Sequence, residues 1–126
     1  MTTKKPKGEK VLILLLKNKM ILEYKSKSLE RSFTEQNIEK NYNVRAKKIR
    51  LRLTELIAAQ NLTDIPATPP PRLHSLNGNR SNEFAVDISG NWRICFIAYD
   101  SKHNLTTNRA EAYIIKVMEV IDYHDK

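Results

Sequence analysis

Two patterns divide the chain. From Leu29 to Ala59 apolar residues recur at helical spacing, and from Phe84 to His124 they alternate. The segment 27–37 places Leu29 and Phe33 on one face and predicts a short helix. The segment 43–59 predicts a longer one. There Ile49, Leu53, Leu56 and Ile57 follow the i, i+4, i+7, i+8 spacing of a core-facing stripe. Residues 61–71 contain Pro66, Pro69, Pro70 and Pro71. Proline lacks a backbone donor and fixes φ, so this stretch predicts a connector that ends the helical half.

Beyond it the period becomes two. Arg72–Leu76 reads as a short strand, followed by a turn at Asn77–Gly78–Asn79. Glu83–Ile88 places Phe84, Val86 and Ile88 on one face. Ser89–Gly90–Asn91 predicts a tight turn. Trp92–Tyr99 then carries Trp92, Ile94, Phe96 and Ala98 on one face, with Arg93, Cys95, Ile97 and Tyr99 on the other. Residues 100–111 are polar and predict a long hairpin loop, and 112–124 predicts a long final strand. Near the start, 20–24 (MILEY) reads as a strand, and Val11–Leu16 as a short buried one behind a Lys-rich tail. Composition changes at Met20, which sets an N-terminal extension, 1–19, apart from a single domain over 20–126. Helices first and turn-linked strands afterwards argue an α+β fold. Its sheet is mostly antiparallel, with the helices on one face and the other face left for a site.

Composition adds direction. The 126 residues carry a net charge of +8. Residues 1–52 hold 15 Lys/Arg against 5 Asp/Glu, whereas 53–126 hold 7 against 9. Such asymmetry fits a polyanionic partner, because Lys and Arg displace the counterions condensed on phosphate backbones. On the second helix Arg45, Lys48 and Arg52 are the candidate RNA contacts. Cys95 is the only cysteine, so no intrachain disulfide forms, and we assign the thiol no chemistry. No apolar run reaches the length of a membrane helix, and Val11–Leu16 is shorter than the apolar region of a signal peptide, so the expected location is cytoplasmic.

Four polar groups stand out in the strand half: His74, Arg93, Asp122 and His124. Alternation puts Asp122 and His124 on one face of the last strand and directs Arg93 away from the apolar face of its own. The set suits RNA cleavage, in which the 2′-OH is the nucleophile. Imidazoles move protons, a guanidinium matches phosphate oxygens, and a carboxylate orients an imidazole. Spacing alone leaves ordinary surface or salt-bridge roles open for each.

The segments MILEYKSKSLERSF, PRLHSLNGNR, FAVDISGNWRICF and VIDYH, in that order, resemble the HigB family of the RelE/ParE toxin superfamily over about residues 20–124. The resemblance implies a RelE-like fold with a small curved sheet, and a ribosome-dependent endoribonuclease that uses neither metal nor cofactor. It places His74, Arg93, Asp122, Tyr123 and His124 in the active site. Arg93 would clamp the scissile phosphate, the two histidines would share proton transfer, and Asp122 would orient the site. Tyr123 would support it, although alternation sends that ring to the opposite face. The resemblance also implies a HigA-type helix-turn-helix antitoxin, with ribosome and mRNA as the other partners. Where the family commonly has Lys, this chain has Asn77, which carries no charge; Arg80 is the candidate to compensate for it in binding RNA. The same fold could instead serve a catalytically weakened co-repressor or a ParE-like gyrase poison.

Overall fold

Burial along Trp92–Tyr99 follows the alternation that the sequence carries except at Cys95, which is on the opposite face and also buried. Ile94, Phe96 and Ala98 are inaccessible to solvent, Trp92 packs beside them, and Arg93 and Ile97 stay partly exposed. This strand is the centre of the molecule. The structure, a computed structural model, describes residues 19–123. Val11–Leu16, the Lys-rich tail before it and His124 lie outside the described residues.

In chain order the elements are β1 (Ile21–Tyr24), α1 (Lys27–Ser32), α2 (Ile38–Tyr42), α3 (Ala46–Ala58), β2 (His74–Ser75), β3 (Glu83–Ser89), β4 (Trp92–Tyr99), β5 (Leu105–Thr106) and β6 (Ile114–Asp122). The strands form one sheet in the order β1-β6-β4-β3-β2, with β5 pairing with β4. All pairs are antiparallel except β1 with β6. The mostly antiparallel α+β architecture expected from the pattern is thus present, with one parallel pair at its edge.

The helical half departs from expectation in three places. The predicted helix over 27–37 ends at Ser32. Ser26 Oγ caps its start by accepting from Leu29 N at 3.1 Å. At the other end Thr34 Oγ1 and Asn37 Nδ2 both donate to the Arg31 carbonyl, so side chains take over what a further turn would have bonded. The chain then re-enters helix at Ile38, which is fully buried. Second, the predicted 43–59 helix opens with a 3₁₀ turn at Asn43–Arg45 and becomes α-helical only from Ala46. Third, Ile49, Leu53 and Leu56 are buried as expected, but Ile57 is 39% exposed and Arg52 is 3% exposed. At 100° per residue Arg52 lies about 60° from Ile49 and Ile57 about 80° on the other side, so the packed stripe takes in the arginine and leaves out the isoleucine.

The core lies between α2, α3 and the sheet. Phe84 and Phe96, paired across β3 and β4 with ring centroids 5.8 Å apart, form its middle. Ile38, Ile49, Leu56, Ile94, Ile115 and Val117 pack around them. Among the described residues no helix is long and apolar enough to cross a membrane.

Two irregularities position the polar residues of the open face. The β3–β4 turn places Gly90 at φ +56, a left-handed conformation that L side chains resist, with open space where a Cβ would go. Gly90→Ala is therefore expected to cost about 1 kcal/mol through conformation alone. Urea unfolding should show a lower midpoint at unchanged slope. In β6 the register against β4 steps from Phe96↔Val117 to Cys95↔Glu119, so Met118 is an extra residue. Such a bulge reverses the faces beyond it. Past Met118 the core side is taken by Val120 and Asp122, opposite Ile94 and Trp92, while Glu119 and Ile121 join Cys95 and Arg93 on the other face.

Candidate active site

The face of the sheet turned away from the helices carries a cavity of about 450 Å³. It is lined by Arg72, His74, Ser75, Leu76, Asn77, Asn91, Arg93 and Tyr123. It brings together three of the residues expected in the site, His74, Arg93 and Tyr123, with Asn77 at its margin.

His74 opens β2. Its Nδ1 lies 2.7 Å from the Arg72 carbonyl. A carbonyl only accepts, so Nδ1 carries the proton, and Nε2 of the neutral ring is left with its lone pair. Arg72 reaches this arrangement at φ +46, a left-handed residue immediately after the proline run. The carboxylate orientation of an imidazole expected from Asp122 is supplied for His74 by a backbone carbonyl.

Arg93 stands on β4 directly opposite Asp87 of β3. Its Nη1 donates to the Asn91 carbonyl at 2.6 Å, and its Nε is 3.5 Å from Asp87 Oδ1. Asp87 simultaneously accepts a fork from Arg72, 2.6 Å from Nε and 3.1 Å from Nη2. Sequence reasoning does not single out Asp87 or Arg72 as site residues. The signal for Asp87 is present, because alternation about Phe84, Val86 and Ile88 puts Asp87 on the same face as Arg93.

Tyr123 follows β6. Its backbone N–H donates to the Asn91 carbonyl at 3.0 Å, the same oxygen that holds Arg93. Its ring lies 5.5 Å from the Arg93 guanidinium carbon and 5.9 Å from that of Arg80. Arg80 Nη1 donates to the Tyr123 hydroxyl at 2.7 Å. Burial, and the Cys95 thiol 3.9 Å from the hydroxyl, push the phenol's acidity down, so its pKa rises. Burial also pushes the Cys95 thiol up to about 11, consistent with the inert role assigned to it.

Four expectations need correction. Asp122 is not in the cavity: the bulge at Met118 turns it to the helix side beside Trp92, where it lines a separate recess with Arg45, Ser89 and Gly90. By the same reversal Tyr123 is brought onto the face of Arg93, from which strict alternation would have removed it. Arg52 is not available to RNA. It is buried between α3 and β3, where Nε donates to the Asp87 carbonyl at 2.8 Å and Nη1 meets Glu55 at 3.3 Å. Arg80 is not a spare cation for Asn77. It pairs with Glu83 at 2.7 Å and Glu119 at 2.5 Å, and the Glu83 hydrogen bond leads the effects that hold its proton still more firmly than usual. Of the other expected contacts, Lys48 is exposed, and Arg45 is half-buried with its guanidinium 4.4 Å over the Trp92 ring.

The electrostatic outcome is a balanced site rather than a strongly cationic one. Arg72, Arg80 and Arg93 face Asp87, Glu83 and Glu119. The arrangement offers a fixed imidazole, a tethered guanidinium and a polarised phenol around one open space.

A family model described as "RelE-like toxin of type II toxin-antitoxin system HigB" matches residues 22–124. No curated protein matches the chain in sequence. Among solved structures the chain is similar to a YoeB/ParE toxin from Agrobacterium tumefaciens, with a TM-score of 0.52 and 11% identity over 83% of this chain and 100% of that one. At that identity the likeness speaks for the fold. It agrees with the family match, which covers every described strand and helix apart from Ile21. The chain belongs to the HigB-like family of RelE-type toxins from type II toxin–antitoxin systems.

Proposed function

We propose that this toxin is a ribosome-dependent endoribonuclease that cleaves mRNA by attack of the RNA's own 2′-OH, in the cytoplasm, under the control of a HigA-type helix-turn-helix antitoxin. The observation that carries the reading is the convergence of His74, Arg93 and Tyr123 on one open cavity. In the proposed reaction Nε2 of His74 takes the 2′-OH proton, and the 2′-oxygen forms a bond to phosphorus as the bond from phosphorus to the 5′-oxygen breaks. The Tyr123 hydroxyl gives its proton to that leaving oxygen. The products are a 2′,3′-cyclic phosphate and a 5′-OH end. Arg93, at the wall of the cavity, grips the non-bridging oxygens. His124, next after Tyr123, is a second proton-transfer candidate on the family resemblance alone. Lys47 and Lys48, exposed on α3, are the proposed contacts to ribosomal RNA, and docking should weaken steeply with salt.

Expression without an antitoxin tests the reading. Growth arrest with mRNA cut inside codons, reproduced by the purified chain only when ribosomes are present, supports it. Harmless expression overturns it in favour of a binding module, and DNA double-strand breaks with intact mRNA overturn it in favour of gyrase poisoning.

Asn77 gives a graded prediction. It is exposed in the lining of a cavity whose two arginines, Arg72 and Arg93, are both paired with Asp87. Asn77→Lys adds an unpaired cation there, and cleavage is expected to rise about threefold to tenfold, which corresponds to roughly 1 kcal/mol of added transition-state stabilisation. Single-turnover rates on ribosome-bound mRNA measure it, and an unchanged or lower rate would remove Asn77 from the catalytic account.

A further inference from the structure

Arg80 makes more contacts around the cavity than any role as an RNA contact would need. Its Nε and Nη2 form a fork with Glu83, at 3.1 and 2.7 Å. Nη2 also reaches Glu119 on β6 at 2.5 Å, and Nη1 is left to donate to the Tyr123 hydroxyl at 2.7 Å. Glu83 begins β3, and Glu119 is the first residue beyond the β6 bulge. The guanidinium is therefore pinned from two strands, and its third edge points at one atom. Guanidinium only donates, so the phenol oxygen must accept from it. The phenol's own proton then has to leave along another direction, toward Cys95 Sγ at 3.9 Å or into the cavity. A contact of 3.9 Å to sulfur is a weak partner, which leaves the cavity as the better direction.

We propose that Arg80 is a positioning residue that acts through Tyr123. Clamped by Glu83 and Glu119, it fixes the phenol oxygen and turns the phenol proton toward the leaving oxygen of the substrate. The proposal rests on the endoribonuclease reading for its catalytic consequence but not for its geometry. Arg80 also supplies a cation beside the phenolate that forms as the proton is given up. Arg93 also lies over the Tyr123 ring, so two guanidinia contact the tyrosine, one held by Glu83 and Glu119 and one at the wall of the cavity.

The test uses Arg80→Met, Arg80→Lys, Tyr123→Phe and the double variant Arg80→Met/Tyr123→Phe, each checked by circular dichroism and read in two ways. The first is ribosome-dependent cleavage. Arg80→Met is expected to lower kcat about 10- to 100-fold with KM unchanged, the size of loss that comes with a misplaced reacting group. Arg80→Lys should recover part of it, and the double variant should be no slower than Tyr123→Phe alone. The second is the titration of the Tyr123 ring, followed by NMR of ¹³Cζ-labelled tyrosine with Tyr123→Phe as the assignment control. Removing the guanidinium leaves the phenol near Glu83, Glu119 and the Cys95 thiol, with Arg93 the remaining cation over the ring. The phenolate is then disfavoured and the pKa should rise further. If Arg80→Met raises KM at constant kcat, or its loss multiplies with that of Tyr123→Phe, Arg80 acts on RNA directly and the proposal fails while the ribonuclease reading stands. If wild-type protein cleaves nothing, that reading fails, and the titration still decides the geometry. An unmoved Tyr123 pKa in both Arg80 variants overturns the positioning role. Should Arg80→Met fail to fold, Arg80→Lys alone carries both readouts, because an ammonium on a flexible stem cannot reproduce the planar fork that Arg80 makes with Glu83 and so does not hold the phenol oxygen in the same place.

Discussion

Arg93→Ala is expected to slow mRNA cleavage about 10²–10³-fold, the usual loss when a fixed donor to a developing charge is removed. Three contacts make the guanidinium a fixed donor: the Asn91 carbonyl at 2.6 Å, Asp87 at 3.5 Å and the Tyr123 ring at 5.5 Å. A group already held in place loses little entropy when the phosphate arrives, so its interaction is expressed in the transition state. The fold should survive the substitution. Asp87 keeps its shorter fork from Arg72, and the Asn91 carbonyl keeps the Tyr123 N–H. Urea unfolding of Arg93→Ala should therefore stay within about 1 kcal/mol of wild type. Arg93→Lys separates charge from shape. An ammonium keeps the attraction but not the fork, so its rate should fall between the two. Wild-type cleavage by Arg93→Ala would show that the clamp is another residue.

What the sequence revealed and what it hid have identifiable physical origins. The limits of β4 were legible as Trp92–Tyr99, because a turn at Gly90 and a polar loop after Tyr99 bracket an uninterrupted alternation. Alternation is a local rule, however, and it fails at the first inserted residue. Met118 has nothing in its own side chain to announce a bulge, yet that extra position decides that Tyr123 and not Asp122 shares a face with Arg93. The arginines were hidden for a different reason. Charge counts treat Arg45, Arg52, Arg72, Arg80 and Arg93 alike. Only tertiary contacts separate Arg52, buried on the Asp87 carbonyl, from Arg80, held between Glu83 and Glu119, and from Arg93, held by Asp87 and Asn91 at the wall of the cavity. Likewise MILEY was legible as a strand, but its parallel partner, nearly a hundred residues away in β6, was not. The buried arginine also has a consequence for the site. By bonding the Asp87 carbonyl from the helix side, Arg52 fixes the backbone of the residue whose carboxylate holds Arg72 and Arg93 on the opposite face.

His74→Asn is expected to have the largest effect, slowing cleavage on the order of 10²–10⁴-fold, the range lost with a general acid or base. The choice of asparagine separates orientation from proton transfer. Its side-chain amide can donate to the Arg72 carbonyl much as Nδ1 does at 2.7 Å, so the local chain path should persist. What it lacks is a second nitrogen that can take a proton from the 2′-OH. KM should therefore stay near that of wild type while kcat falls. His74→Ala removes the ring and the carbonyl bond together and opens space at the cavity wall. Imidazole added to the solution should restore part of that rate, which it cannot do for His74→Asn, where the amide occupies the space. Equal cleavage by wild type and His74→Asn would mean that the ring only orients the turn after Arg72. The 2′-OH proton would then have to leave through Tyr123, acting as the base rather than as the proposed acid, or through His124, the other proton-transfer candidate.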